Sequence, residues 1–150
     1  MSPFMLRVII TALLLFHAFG QLMGVIPALW TFRKENQYGP AWLKAWSSHS
    51  WLLSRWMGEK TARIVCGAIY FAAFIGFIAT VLSLVNLLLP HEWWRALAVT
   101  SSVISLVALA LFWKALLFFF PHKIGDIVMN VAILICLHVV NWPPETMIGF

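Results

Sequence analysis

Apolar residues run through this chain in long uninterrupted blocks, and the charges fall between the blocks. Residues 8–32 form 25 positions without a charge, and residues 64–89 form 26. Residues 96–113 add 18, extended by 115–120 beyond Lys114, and residues 127–142 give 16, or 19 when counted from Ile124 across Asp126. A helix needs about 20 residues to cross a hydrocarbon core of about 30 Å. No block alternates polar and apolar positions as a barrel strand does. The pattern predicts an all-α polytopic membrane protein, one domain over residues 1–150. Its expected form is an antiparallel four-transmembrane-helix bundle with spans at about 8–32, 64–89, 96–120 and 124–142.

The ends of these blocks carry the expected residues. Trp30, Trp93, Trp94, Trp113 and Trp142 fall near predicted span ends, where an indole ring stays apolar while its N–H finds a partner. Pro90, Pro121 and Pro143-Pro144 close the second, third and fourth spans, because proline cannot continue a helix cheaply. Arg7 and the apolar run after it resemble a signal peptide, with Ala18 and Gly20 as small residues. The run continues to residue 32 without a polar start, however, so we read it as a span.

The first connection, residues 33–63, differs in kind. It holds six of the ten basic residues and four tryptophans. Trp42, Trp46, Leu53 and Trp56 share one helical face through His49. An amphipathic helix over about 40–56 is therefore expected at the headgroup level, with Lys44 and Arg55 reaching anionic lipid. Connections one and three together hold eight Lys and Arg, against Arg7 and Arg95 on the other side. The positive-inside rule puts those two connections in the cytoplasm and both termini outside, and the expected location is the cell inner membrane.

Composition narrows the class further. With 63% hydrophobic and 10% charged residues, the chain cannot cover a soluble surface, which excludes a soluble enzyme, a nucleic-acid-binding domain and a disordered chain. The net charge of +5 then reads as membrane orientation and not as a nucleic-acid footprint. Cys66 and Cys136 lie inside apolar runs and read as small buried hydrophobes without a disulfide framework.

Polar residues inside the spans are the candidate chemistry, because an ionisable group there costs a few kcal/mol. His17 and Gln21 stack at i,i+4 on the first helix. Thr80 lies on the second and Ser105 on the third. On the fourth, Asp126, Asn130 and Asn141 fall within about 60° of one another and His138 a further 60° round. Measured from the predicted midpoints, His17, Thr80, Ser105 and His138 occupy one layer roughly 5 Å toward the outer side. The candidate cofactor-binding set is therefore His17, Gln21, Thr80, Ser105, Asn130 and His138, with the two imidazoles facing inward within about 10 Å of each other. Asp126 is expected to be neutralised by Lys114 and Lys123 at the cytoplasmic end. No metal-binding His/Cys array, nucleophile elbow or P-loop is present in the sequence.

The segments "LRVIITALLLFHAFGQLMGVI", "EWWRALAVTSSVISLVAL" and "KIGDIVMNVAILICLHVVNWP" resemble uncharacterised bacterial four-helix membrane proteins that are DoxX-like in layout. The resemblance rests on His17, Gly20, Trp93-Trp94, Ser105, Gly125 and Asn130, and it covers most of the chain outside the first connection. It implies the four-helix architecture. Some relatives of that kind are similar to quinone-linked oxidoreductase subunits. Three functions stay open at this point. The first is a structural or accessory subunit of a membrane assembly, as a homo-oligomer or within a larger complex. The second is a redox subunit in which His17 and His138 hold a quinone or haem b. The third is a permease-like module for a small solute.

Overall fold

The computed structural model describes residues 2–30, 50–113 and 120–149. Its helices are α1 (Pro3–Trp30), α2 (Leu53–Leu84), α3 (Trp94–Leu111), α4 (Phe120–Leu134) and the short α5 (Glu145–Ile148). A 3-10 turn at His91–Trp93 leads into α3, and a π-helical turn at Ile135–Val139 continues α4. No strand occurs among the described residues. Pro3–Ile26, Leu53–Leu84 and His91–Leu111 are each long and apolar enough to cross a membrane. The described residues are all-helical in class, and three of the helices have the length and composition of membrane spans. Alone, the 15 residues of α4 reach only about 22 Å.

Local chemistry moves several helix ends from their expected positions. α1 starts five residues earlier because the Ser2 hydroxyl accepts from the Met5 N–H at 3.2 Å, with Pro3 at the first helical position. α2 starts at Leu53, so Arg55, Lys60 and Arg63 belong to a helix, not to a connection. Of the expected interfacial helix, residues 40–49 lie outside the described residues. Trp56, its last ring, sits in the opening turns of α2 and is 84% exposed. The helical path breaks just after it at Gly58, whose φ of 77° favours glycine. α2 ends at Leu84, well before Pro90. Asn86 takes the left-handed conformation (φ 54°), and the N–H groups of Asn86 and Leu87 bond back to Ser83 and Leu82. Asn here fills the place usually taken by glycine in a Schellman stop.

Successive helices run in opposite directions. Near one end Leu6 and Leu14 of α1 meet Leu84 of α2, Trp94 and Ala98 of α3, Ile133 of α4 and Ile148 of α5. Toward the other end Val25 meets Cys66, Tyr70, Leu109 and Phe112. Ser50, just before α2, donates to the Leu111 carbonyl at 2.8 Å and so ties the start of α2 to the end of α3. The buried stripe of α3 consists largely of small residues: Ala98, Ser101, Ser102, Ser105 and Ala108. Small residues let backbones approach, which is how membrane helices gain contact without a hydrophobic driving force. At Gly76 a methyl group would sit 2.2 Å from the Ser101 hydroxyl and 3.2 Å from its Cβ, so a larger residue would have to displace that side chain for α2 and α3 to approach this closely. The exterior is correspondingly apolar and bulky, with Phe16 82% exposed. α1 packs densely on α2 and α2 on α3, whereas α1 and α4 meet only sparsely.

The segment after the π turn folds back over the entrance to α3. Arg95 donates to Glu145 at 3.1 Å, to the Asn141 side chain and to the Pro143 carbonyl, while His91 bonds the other Glu145 oxygen at 2.7 Å. Burial pushes the Glu145 carboxyl up, but the bonds from His91 and Arg95 outweigh it and hold the group below its usual value. This contribution is present above the unfolded glutamate value, about 4.3, and is lost as pH falls through the lowered folded value. Protection of residues 145–148 from hydrogen exchange, relative to the intrinsic rate at each pH, should therefore fall as pH drops below the ordinary glutamate range. Glu145→Gln should exchange fast already at neutral pH with little further acid response. An unchanged acid response in the variant contradicts the role given to Glu145.

Candidate functional site

The polar layer forms around Asp126. α4 buries Lys123, Asp126, Asn130 and Ile133, a stripe at spacings of three, four and three. Lys123 turns away from Asp126 and donates to the Trp113 carbonyl at 2.7 Å, with its ammonium 4.8 Å from the Trp113 ring. Carbonyls past a helix C-terminus attract a cation, so Lys123 caps the end of α3. The expected Lys123–Asp126 pairing is thus replaced, and Lys114 lies outside the described residues. Asp126, 7% exposed, instead takes its donors from amides. Gln21 donates to its Oδ1 at 2.8 Å, and Asn130 donates to the same oxygen at 3.0 Å and to the Asp126 backbone carbonyl at 2.8 Å. Ser105 of α3 accepts from Asn130 at 3.0 Å and donates to Gln21 Oε1 at 3.1 Å.

His17 completes the group from α1. Its Nε2 lies 3.2 Å from Asn130 Oδ1 and 3.6 Å from Asp126 Oδ1, and its ring meets Phe77 of α2 edge-on at 4.7 Å. The tautomer follows from the network. The Asn130 amide nitrogen must face the Asp126 oxygens, which only accept, so its Oδ1 faces His17 and that ring nitrogen carries the proton.

Four of the six candidate residues come together: His17, Gln21, Ser105 and Asn130. Thr80 is fully buried, but its hydroxyl bonds back to the Gly76 carbonyl at 2.8 Å within its own helix. His138 is exposed, which corrects the expectation that it faces His17. Two causes act together. α4 begins at Phe120 and not at 124, so Asn130 stands at the height assigned to His138. The π turn at Ile135–Val139 then changes the rotation per residue and swings His138 off the stripe. Asn141 has likewise left the helix, with a φ of 52°. His17 and His138 therefore do not form the facing pair that axial ligation of a haem b needs. The layer also shifts across the midplane, since His17 and Gln21 fall past the middle of the Pro3–Ile26 stretch. Asp126 is the member missing from the candidate set. Its signal was the i,i+4 pairing with Asn130, which puts both on one helix face.

The network is not sealed. A cleft of about 430 Å³ opens between α1 and α4, lined by Leu13, Phe16, His17, Gly20, Gly125, Asp126 and Met129. A methyl group on Gly125 would meet no neighbour within 4 Å, so the mouth is wide there. Leu13 and Met129 also border a wholly apolar cavity of about 180 Å³ that reaches Trp94, Cys136, Trp142 and Pro143. The two voids share Leu13 and Met129 as walls, one with a polar side and the other apolar, and the larger is in the size range of small-molecule sites.

No family model, no curated protein and no solved structure matches this chain. Functional inference rests on the site itself.

Asn130 bonds His17, Ser105 and Asp126 together. Asn130→Leu should therefore cost about 1–3 kcal/mol, because it strands Ser105, Asp126 and His17 at once. Ser105→Ala should cost less than half of that. Unfolding of the two variants in mixed micelles checks the order, and equal losses contradict it.

Proposed function

We propose that this chain is a four-span subunit of the bacterial inner membrane that holds a small amphipathic molecule in the cleft between α1 and α4. The carrying observation is that His17 and Asp126, each less than a tenth exposed, line a cleft open to the apolar exterior. A network serving packing alone has no need of such an opening. The polar end of the molecule meets His17 and Asp126, and its apolar body follows Leu13 and Met129 into the adjoining cavity. A quinol-like ring with an apolar tail has this shape, and its hydroxyl would donate to Asp126. The second reading, a structural or accessory subunit of a larger assembly, is favoured by the mutual bonding of Gln21, Ser105, Asp126 and Asn130.

The fourth crossing is α4 with its π turn, together 20 residues. The eight Lys and Arg residues within 33–63 and at 114 and 123, four of them helical (Arg55, Lys60, Arg63 and Lys123), favour a cytoplasmic side there, with both termini outside. Cysteines placed at Ser2 and Gly149 in a cysteine-free background should label in intact cells. Labelling only after permeabilisation overturns this orientation.

Leu13 is half exposed and takes no part in the polar network. Leu13→Trp should fill the cleft and leave the network intact. Organic extracts of protein purified in nanodiscs should contain a small amphiphile for the wild type that is lost in Leu13→Trp, with little change in melting temperature. Identical extracts overturn the binding reading in favour of the structural one.

A further inference from the structure

The hydrogen bonds around Asp126 can be counted proton by proton. Asp126 Oδ1 accepts from both Gln21 and Asn130, at 2.8 and 3.0 Å. Asp126 Oδ2 has one partner among the described residues, the Ser105 hydroxyl at 3.4 Å. That hydroxyl carries a single proton and lies closer to Gln21 Oε1, at 3.1 Å. Either Gln21 Oε1 or the carboxylate is therefore left one donor short. No other donor among the described residues bonds Asp126 Oδ2. The His17 Nε2 proton goes to Asn130. The two Asn130 amide protons face the Asp126 carbonyl, Asp126 Oδ1 and Ser105. The second amide proton of Gln21 points to His17 Nε2 at 3.4 Å, which as a protonated nitrogen cannot accept it, and Gln21 is not part of the cleft wall.

The deficit is thus in donors, and it falls on a residue that lines the cleft. A buried carboxylate oxygen without a full set of donors is costly in apolar surroundings. Resting on the lateral-binding reading above, we infer that the cleft selects head groups that donate a hydrogen bond, a hydroxyl or a protonated amine, over heads that only accept. An ester or ether oxygen brings a second acceptor to Asp126 and leaves the shortfall in place. A donating head completes the carboxylate, and a cationic one also neutralises it.

Octylamine, octanol and methyl octanoate share a short apolar chain and differ in the head. Bromoalkyl versions of the three, added to the full chain in phosphatidylcholine nanodiscs, can be followed by quenching of Trp94 and Trp142, which wall the adjoining cavity. The amine or the alcohol should bind about tenfold more tightly than the ester, the value of one hydrogen bond to a charged group. Preference for the amine alone identifies a cationic head, and equal binding of amine and alcohol identifies a neutral hydroxyl. Asp126→Asn should invert the order. Its carbonyl oxygen must stay at the Oδ1 position to accept from Gln21 and Asn130, so its amide nitrogen takes the Oδ2 position and donates. If that variant does not fold, the wild-type series decides alone. Ester binding as tight as amine or alcohol overturns the inference while the lateral site stands, provided Leu13→Trp abolishes all three. Absence of binding by every probe overturns both.

Discussion

A carboxylate buried among apolar helices dictates where those helices must stand. Asp126 cannot remain in such surroundings without donors, and its own helix supplies only Asn130. Gln21 must come from α1 and Ser105 from α3, which fixes the rotation of three helices about their axes. The His17 ring then follows, held by Asn130 on one side and by the edge of Phe77 on the other. Hydrocarbon offers no alternative partner, so these bonds specify geometry even where each contributes only about 0.6 kcal/mol to stability. The apolar contacts around them are permissive by comparison, since many rotations would bury leucine and phenylalanine against lipid or protein alike.

Packing explains why the layer opens on one side only. Glycine and the small residues of α3 bring α2 and α3 into close approach, and Tyr70 lies so near Gly24 that a methyl group there would sit 2.4 Å from its ring. α1, α2 and α3 are thereby locked as a set. α4 reaches that set mainly through α3 and through the polar layer, and the fold-back from Asn141 to Ile148 fastens the end that follows the π turn. The seam between α1 and α4, where the two helices meet only sparsely, stays open. The polar wall and the cleft are thus two results of one asymmetry.

Much of this was legible in the sequence, and the failures have common causes. Uncharged length revealed the three long apolar helices, because a block such as residues 64–89 has no other stable form in a membrane. His17, Gln21, Ser105 and Asn130 could be singled out because polar side chains in such blocks must find one another. The ends were harder to read. Charge was taken as the boundary, yet Arg55, Lys60 and Arg63 are helical, since a helix can continue beyond the hydrocarbon into the headgroups. That error also set α4 too late by four residues and placed His138 where Asn130 stands. The π turn compounded it, because a uniform 100° per residue cannot foresee a turn of wider pitch. Lys123 shows a further limit: a nearby opposite charge is easy to nominate, whereas a row of carbonyls at a helix end leaves no trace in composition.

Gly125 bears on how such a protein could diversify. It stands at the mouth of the cleft with open space where a side chain would project, and the helix around it has no need of a glycine conformation. Substitution there changes the width of the opening without touching the buried layer that holds α1, α3 and α4 in place. Descendants of this scaffold could therefore exchange one occupant for another through a single outward position, while inheriting the costly interior unchanged.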